Sequence, residues 1–126
     1  ATARVLLEAE GWVAPDAEIG PGTVVMAGSI VQPGTKIGAH CIINTGASVD
    51  HDCVIGDFAH VAPGARVCGG VKIGEGAFVC VGASIAQYLE IGAWSVVAAG
   101  AAVVGNIADH VLAAGVPAKI KKKLLA

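Results

Sequence analysis

By type, His51, Asp52 and His60 are the side chains of this sequence best suited to chemistry. They fall in VDHDCVIGDFAHVAPGA, residues 49–65, where two histidines and three aspartates interrupt a run of aliphatic and small residues. A carboxylate beside an imidazole can accept its Nδ1–H, fix the tautomer and raise the basicity of Nε2, which suits a general base near neutral pH. The same two residues also describe a solvated turn histidine among polar neighbours, because paired groups mark sites only statistically. For His60 the alternatives are a working side chain and a hydrogen-bonded interface histidine.

The elements that must hold these residues follow from a repeat. A Val or Ile recurs every six positions from Val13 to Val103, sixteen times without a break. Two residues before most of them stands a small side chain, among them Ala17, Thr23, Ser29, Thr35, Cys41, Cys53, Ala83 and Ser95, with Val71, Leu89 and Ile107 as larger exceptions. A period of six does not match the same-face spacings of a helix, but it fits a strand of period two followed by a bend. The pattern resembles the hexapeptide repeat of left-handed parallel β-helices, in which three hexads make one triangular coil of 18 residues. That implies an all-β prism of about five coils, roughly 25 Å tall at ~4.8 Å per coil. The expected organisation is a lead-in over 1–12, the β-helix over 13–108 and a C-terminal tail over 109–126. The tail sequence AKIKKKLLA reads either as a simple tail or as a short helix capping the last edge.

Folded on an 18-residue coil, the outward strand residues sort into three faces. Glu18, Lys36, Val54, Lys72 and Glu90 make a solvent face; Trp12, Ile30, Ser48, Arg66, Ser84 and Ala102 make a mixed one. Val24, Ile42, His60, Phe78 and Val96 make an apolar strip with one histidine in its middle. Exposed apolar strips mark interfaces, so a closed homo-oligomer is expected, and chains with this repeat are typically trimers. His51 and Asp52 fall in a turn between the mixed and solvent faces. One side of the triangle spans roughly 15 Å at ~3.3 Å per residue, so His51 and His60 of one chain cannot share a reacting atom. If they cooperate, they come from neighbouring subunits.

Composition narrows the partners. A net charge of −2 is too small to argue for nucleic acid or an anionic membrane. Cys41, Cys53, Cys68 and Cys80 lack CxxC or zinc-ligand spacing and are expected to be buried or half-buried thiols in a reducing, cytoplasmic setting. Ile91 to Ala108 is uncharged for 18 residues, yet its glycines, alanines and unbroken hexads argue against a membrane span. The first residues lack the order of a signal peptide.

INTGASVDHDCVIGDFAHVAPGARVCGGVKIGEGAF, together with the later GVPAK, resembles the sugar acetyltransferases that include bacillosamine-pathway 4-amino-sugar N-acetyltransferase, perosamine N-acetyltransferase and sialic acid O-acetyltransferase. The likeness runs from Val13 to Lys121. It implies an acetyl-CoA-dependent acyltransferase acting on an amine or hydroxyl of a sugar, with a nucleotide-linked amino sugar expected and no metal. By position, His51 matches the general base and Asp52 its supporting acid. His60 matches the histidine at the thioester carbonyl, Asn44 a residue lining the sugar site, and Val81 and Ala99 the main-chain contacts of the pantetheine arm. Val81 and Ala99 are 18 apart, on the corner that also carries Asn44. The implied reaction is direct attack on the thioester, with His60 Nε2–H or a backbone N–H stabilising the oxyanion. GVPAK matches a segment crossing the open end near coenzyme A, where its lysines either meet the CoA phosphates or are simply solvated. The resemblance also implies an N-terminal α/β domain that residues 1–12 do not supply. A carbonic anhydrase-like metal site and a non-catalytic oligomerisation module remain as other readings of the same repeat.

Overall fold

The computed structural model describes residues 6–7 and 11–124. Among them every regular element is a strand, most only two residues long, separated by two-residue turns. The strands stack into three parallel sheets that form the sides of a prism. Trp12–Val13, Ile30–Val31, Ser48–Val49, Arg66–Val67, Ser84–Ile85 and Ala102–Val103 make the mixed sheet. Glu18–Ile19, Lys36–Ile37, Val54–Ile55, Lys72–Ile73 and Glu90–Ile91 make the charged sheet. The apolar sheet runs from Leu6–Leu7 through Val24–Val25, Ile42–Ile43, His60–Val61, Phe78–Val79 and Val96–Val97 to Val111–Ala114. Partners along each sheet are 18 residues apart, as in Ile42, His60 and Phe78, so the three expected faces are the three sheets.

The second residue of each strand and the small residue before it point inward. Val25, Ile43, Val61, Val79, Ile85 and Val97 are fully enclosed, and Cys41, Ala47, Cys53, Ala65 and Ala83 fill the space between them. Little room remains near the prism axis, so the buried hydroxyls are satisfied locally: Thr23 Oγ1 donates to the Gly38 carbonyl at 2.7 Å and Thr35 Oγ1 to that of Asp50 at 2.7 Å. Outside, the Lys36–Glu18 pair at 3.9 Å is solvent-exposed and adds little to stability.

The three corners are built differently. Where the charged sheet turns into the apolar one, Gly20, Gly38, Gly56, Gly74 and Gly92 follow one another at 18-residue intervals. A Cβ on Gly74 would lie 2.6 Å from the Ala93 amide nitrogen, and one on Gly56 2.8 Å from that of Glu75, so backbone of the next coil occupies the space. Beside this column His40, Phe58, Trp94 and His110 adopt positive φ.

Both ends depart from the expected boundaries. Leu6–Leu7 pairs with Val24–Val25 in the same 18-residue register, extending the ladder into the expected lead-in. Leucine rather than Val or Ile at that hexad position hid it; the rest of the lead-in through residue 10 lies outside the described residues. At the other end the register shortens: Ile91 pairs with Ile107 and Val97 with Ala113, 16 residues on, which breaks the hexads without ending the ladder. Among the described residues, through 124, the tail forms no helix. Lys119–Lys123 is a strand running antiparallel to Val111–Ala114, and the chain reaches it through a cis Val116–Pro117 bond. With these additions, and six strands in the mixed sheet, the prism has about six coils rather than about five. Residues 91–108 are strands and turns of the same prism, and no helix among the described residues is long and apolar enough to cross a membrane.

Candidate active site

His51 and Asp52 form the turn between Ser48–Val49 and Val54–Ile55, at the corner of the mixed and charged sheets. Asp52 takes a left-handed backbone at φ 56°, which an aspartate tolerates better than most residues, and this turns its carboxylate toward its neighbour. His51 Nδ1 lies 3.1 Å from Asp52 Oδ2. Both side chains are about half exposed or more, at 51% and 70%. Such a pair adds little to stability; with Asp52 accepting from Nδ1–H, the other ring nitrogen, Nε2, is an acceptor.

Two glycines make room for the pair. A Cβ on Gly69, one coil above His51, would fall 2.4 Å from His51 Nε2. A Cβ on Gly34, one coil below Asp52, would overlap its Oδ1. The imidazole therefore leans toward the C-terminal coils and the carboxylate toward the N-terminal ones. Sequence reasoning overlooked both glycines, although each stands 18 residues from its partner.

His60 stands on the apolar sheet between Ile42 and Phe78, its ring stacked on Phe78 with centroids 4.7 Å apart. Asn44 reaches it from the previous coil, Nδ2 to His60 Nε2 at 3.2 Å. The orientation of that amide is fixed because Asn44 Oδ1 accepts the Thr45 amide at 2.7 Å. With Asn44 Nδ2 donating, Nε2 is the acceptor of this contact and the proton of the neutral ring falls on Nδ1. The His60 backbone N–H is also committed, to the Ala77 carbonyl at 2.9 Å.

Burial pushes the His60 pKa below its ordinary 6.5. Between the folded and unfolded values the unfolded chain binds more protons, so this residue's contribution to stability is complete above about pH 6.5 and is lost as pH falls through the folded value. We expect the difference in denaturant midpoint between wild type and His60→Gln to shrink below about pH 6. A difference that stays constant from pH 5 to 8 would refute this.

Val81 and Ala99 lie in turns at the corner of the apolar and mixed sheets, both exposed, with the Gly100 amide donating to the Val81 carbonyl at 2.9 Å. They occupy the position of Pro63 one coil earlier, so the ladder needs no N–H from them. The residue after each is glycine at 28, 46, 64, 82 and 100, always with positive φ. Other corners meet that φ with Asp52, Phe58 or Trp94, and a Cβ on Gly46, Gly64, Gly82 or Gly100 would touch nothing. Positive φ favours glycine at these positions, but crowding does not require it. The effect of these glycines is a bare backbone track parallel to the prism axis.

The structure brings Asn44 to His60 and His51 to Asp52, and it keeps the two groups on different parts of one prism. Of the other histidines, His40 stacks on Phe58 at 5.6 Å and His110 has a buried Nδ1 without a partner among the described residues. Among those residues no three His, Cys, Asp or Glu side chains gather as a metal-binding set. Cys41 and Cys53 are buried, and burial pushes the Cys53 thiol up to about 11, which makes it a poor nucleophile. Cys68 is exposed, contrary to expectation, because it follows the strand Arg66–Val67 at a position that faces out.

Fold and repeat define the class first. A model of the bacterial transferase hexapeptide family (six repeats) matches residues 16–51 and 35–69, and the repeats of this chain are of that kind, stacked as a left-handed parallel β-helix. More particularly, it is similar to PerB from Caulobacter crescentus, solved in complex with CoA and GDP-perosamine, at 44% identity over 94% of this chain and 58% of that one, with a TM-score of 0.90. The acetyltransferase domain of PglB from Neisseria gonorrhoeae, in complex with acetyl coenzyme A, shares 42% identity over 92% of this chain and 57% of that one, with a TM-score of 0.90. A variant of the perosamine N-acetyltransferase from Caulobacter crescentus, in complex with CoA and GDP-perosamine, shares 43% over 94% and 58%, with a TM-score of 0.90. The chain therefore spans less than two thirds of the length of these proteins. Among curated proteins none matches it.

Proposed function

We propose that this chain is the catalytic β-helix of an acetyl-CoA-dependent sugar acetyltransferase, with a nucleotide-linked amino sugar as acceptor. The observation that carries the reading is the His51–Asp52 pair, with Nδ1 engaged and Nε2 placed over Gly69. It is supported by the likeness to solved acetyltransferases that hold CoA, acetyl coenzyme A or GDP-perosamine.

In this mechanism the acceptor amine attacks the thioester carbonyl carbon directly. His51 Nε2 takes a proton from the nitrogen as the new C–N bond forms, Asp52 stabilises the resulting imidazolium, and the C–S bond breaks as the tetrahedral intermediate collapses. The proton passes to the departing thiolate. General-base assistance of this kind contributes about 10²–10⁴ in rate. The oxyanion is met by His60 through Nδ1–H, the nitrogen that Asn44 leaves free to donate. Asn44 also lines the sugar site. The bare glycine track beside Val81 and Ala99 gives the pantetheine arm backbone to lie on. Because His51 and His60 belong to different parts of the prism, each site draws the base from one protomer and His60, Val81 and Ala99 from its neighbour in a homotrimer packed through the apolar sheet. The free thiols of Cys41 and Cys53 support a cytoplasmic setting.

Titration calorimetry with acetyl-CoA tests the reading. Wild type is expected to bind one acetyl-CoA per chain and His60→Ala to bind it about tenfold more weakly, as for loss of ~1.4 kcal/mol. Absence of binding to an oligomeric wild type would sink the assignment.

A further inference from the structure

Tyr88 is the one tyrosine of the chain, and it stands in an unusual place. It occupies the second turn position at the corner that carries His51 and Asp52, in the column Gly34, Asp52, Gly70 and Tyr88. Its φ is 59°, a conformation that a bulky side chain rarely adopts. The ring is 70% exposed, so burial does not explain why tyrosine stands there.

The surroundings point to a use. A Cβ on Gly70 would fall 2.3 Å from Tyr88 Cδ1, just as one on Gly69 would fall 2.4 Å from His51 Nε2. Two rings thus cover one dipeptide, His51 from the coil below and Tyr88 from the coil above. Main-chain bonds hold both, with the Gly70 amide donating to the His51 carbonyl at 2.9 Å and the Tyr88 amide to that of Gly69 at 2.9 Å. Consecutive Cα atoms are ~3.8 Å apart, so the tyrosine ring stands immediately beyond the basic nitrogen on its C-terminal side.

We propose that Tyr88 is a donor-binding residue, its ring face packing against the pantetheine arm of acetyl-CoA. The inference rests on the acetyltransferase reading and deepens it. At ~4.8 Å per 18-residue coil, Val81 lies roughly 8 Å and Ala99 roughly 13 Å above His51 along the prism, and Tyr88 lies between them at roughly 10 Å. Its ring then drops back toward Gly70. A donor with its thioester at His51 Nε2 and its arm running past the neighbour's glycine track passes this ring on the His51 side of the cleft. The acceptor enters from the other direction, where Asp52 leans over Gly34. The ring offers the methyl-bearing, amide-containing arm an apolar face, whereas nothing at this turn is charged to suit the nucleotide end.

Calorimetry on the full chain with two probes, CoA and adenosine 3′,5′-bisphosphate, tests the assignment. Tyr88→Gly is expected to weaken CoA about fivefold, the loss of one aromatic contact, and to leave the bisphosphate within about twofold of wild type. Tyr88→Phe, which keeps the ring face, is expected to bind CoA within about twofold of wild type. Glycine accepts a φ of 59° without steric cost, so Tyr88→Gly should melt no lower than wild type. The single tyrosine also gives one set of ring NMR signals, which should shift on adding CoA. Unchanged CoA affinity in Tyr88→Gly, or equal weakening of both probes, overturns the Tyr88 assignment alone. A wild-type protein that binds no CoA overturns the acetyltransferase reading and this inference with it.

Discussion

His51→Ala is expected to lower the acetyl-transfer rate by about 10²–10⁴-fold while CoA affinity stays within about twofold of wild type. The reason is positional. In the proposed mechanism Nε2 only takes a proton, the corner that holds the ring is a two-residue turn anchored by ladder bonds on both sides, and removal of a half-exposed imidazole leaves that turn intact. Rate and CoA affinity should therefore separate. If both fall together, His51 is a structural or donor-binding residue and the base lies elsewhere. Asp52→Asn should show a milder loss in the same direction, because an amide still fills the place of the carboxylate but cannot stabilise an imidazolium.

Gly74→Ala is expected to destabilise the fold by about 3 kcal/mol, the upper end of what overpacking costs, and to lower the melting temperature by about 10 °C. A Cβ there meets the Ala93 amide nitrogen at 2.6 Å and its Cα at 2.8 Å, and backbone held in a ladder cannot swing aside as a flexible side chain can. Two other glycines calibrate the measurement. Gly46 has positive φ but open space, so alanine should cost about 1 kcal/mol through conformation alone. Gly105 has neither constraint and should change stability by less than about 0.5 kcal/mol. Denaturant midpoints at one fixed protein concentration compare the three; equal losses at all of them would refute the close-approach argument.

These glycines show what was legible in the sequence. The Val and Ile spacing defined the three sheets and their register down to the residue, because a solenoid repeats its environment every 18 positions and each repeat restates the same constraint. From that phase alone His51 falls in an exposed turn and Cys53 inside. What escaped were features that break or decorate the period. The shorter register between Ile91 and Ile107 concealed the last parallel strand, and the lysine-rich tail did not read as a strand because its own composition is compatible with more than one state until Val111–Ala114 offers it an edge. The Asn44 to His60 contact escaped for another reason: their separation of 16 is a diagonal step between neighbouring coils on one sheet, a relation that counting in sixes does not display. Nothing in the hexad spacing marks Tyr88, and its proposed use depends on knowing which way the His51 ring leans.

The reversed strand Lys119–Lys123 bears on a general problem of such architectures. A stack of identical parallel rungs has no intrinsic length: its end presents the same bonding groups as its middle, and another molecule could continue it into a fibre. Lys119–Lys123 occupies that position on the apolar sheet with the chain running backwards, in a kinked register, and with four cations on its exposed surface. A further parallel rung would find neither the right direction nor a neutral partner. The growth rule that builds the prism is thereby switched off at this end of the apolar sheet.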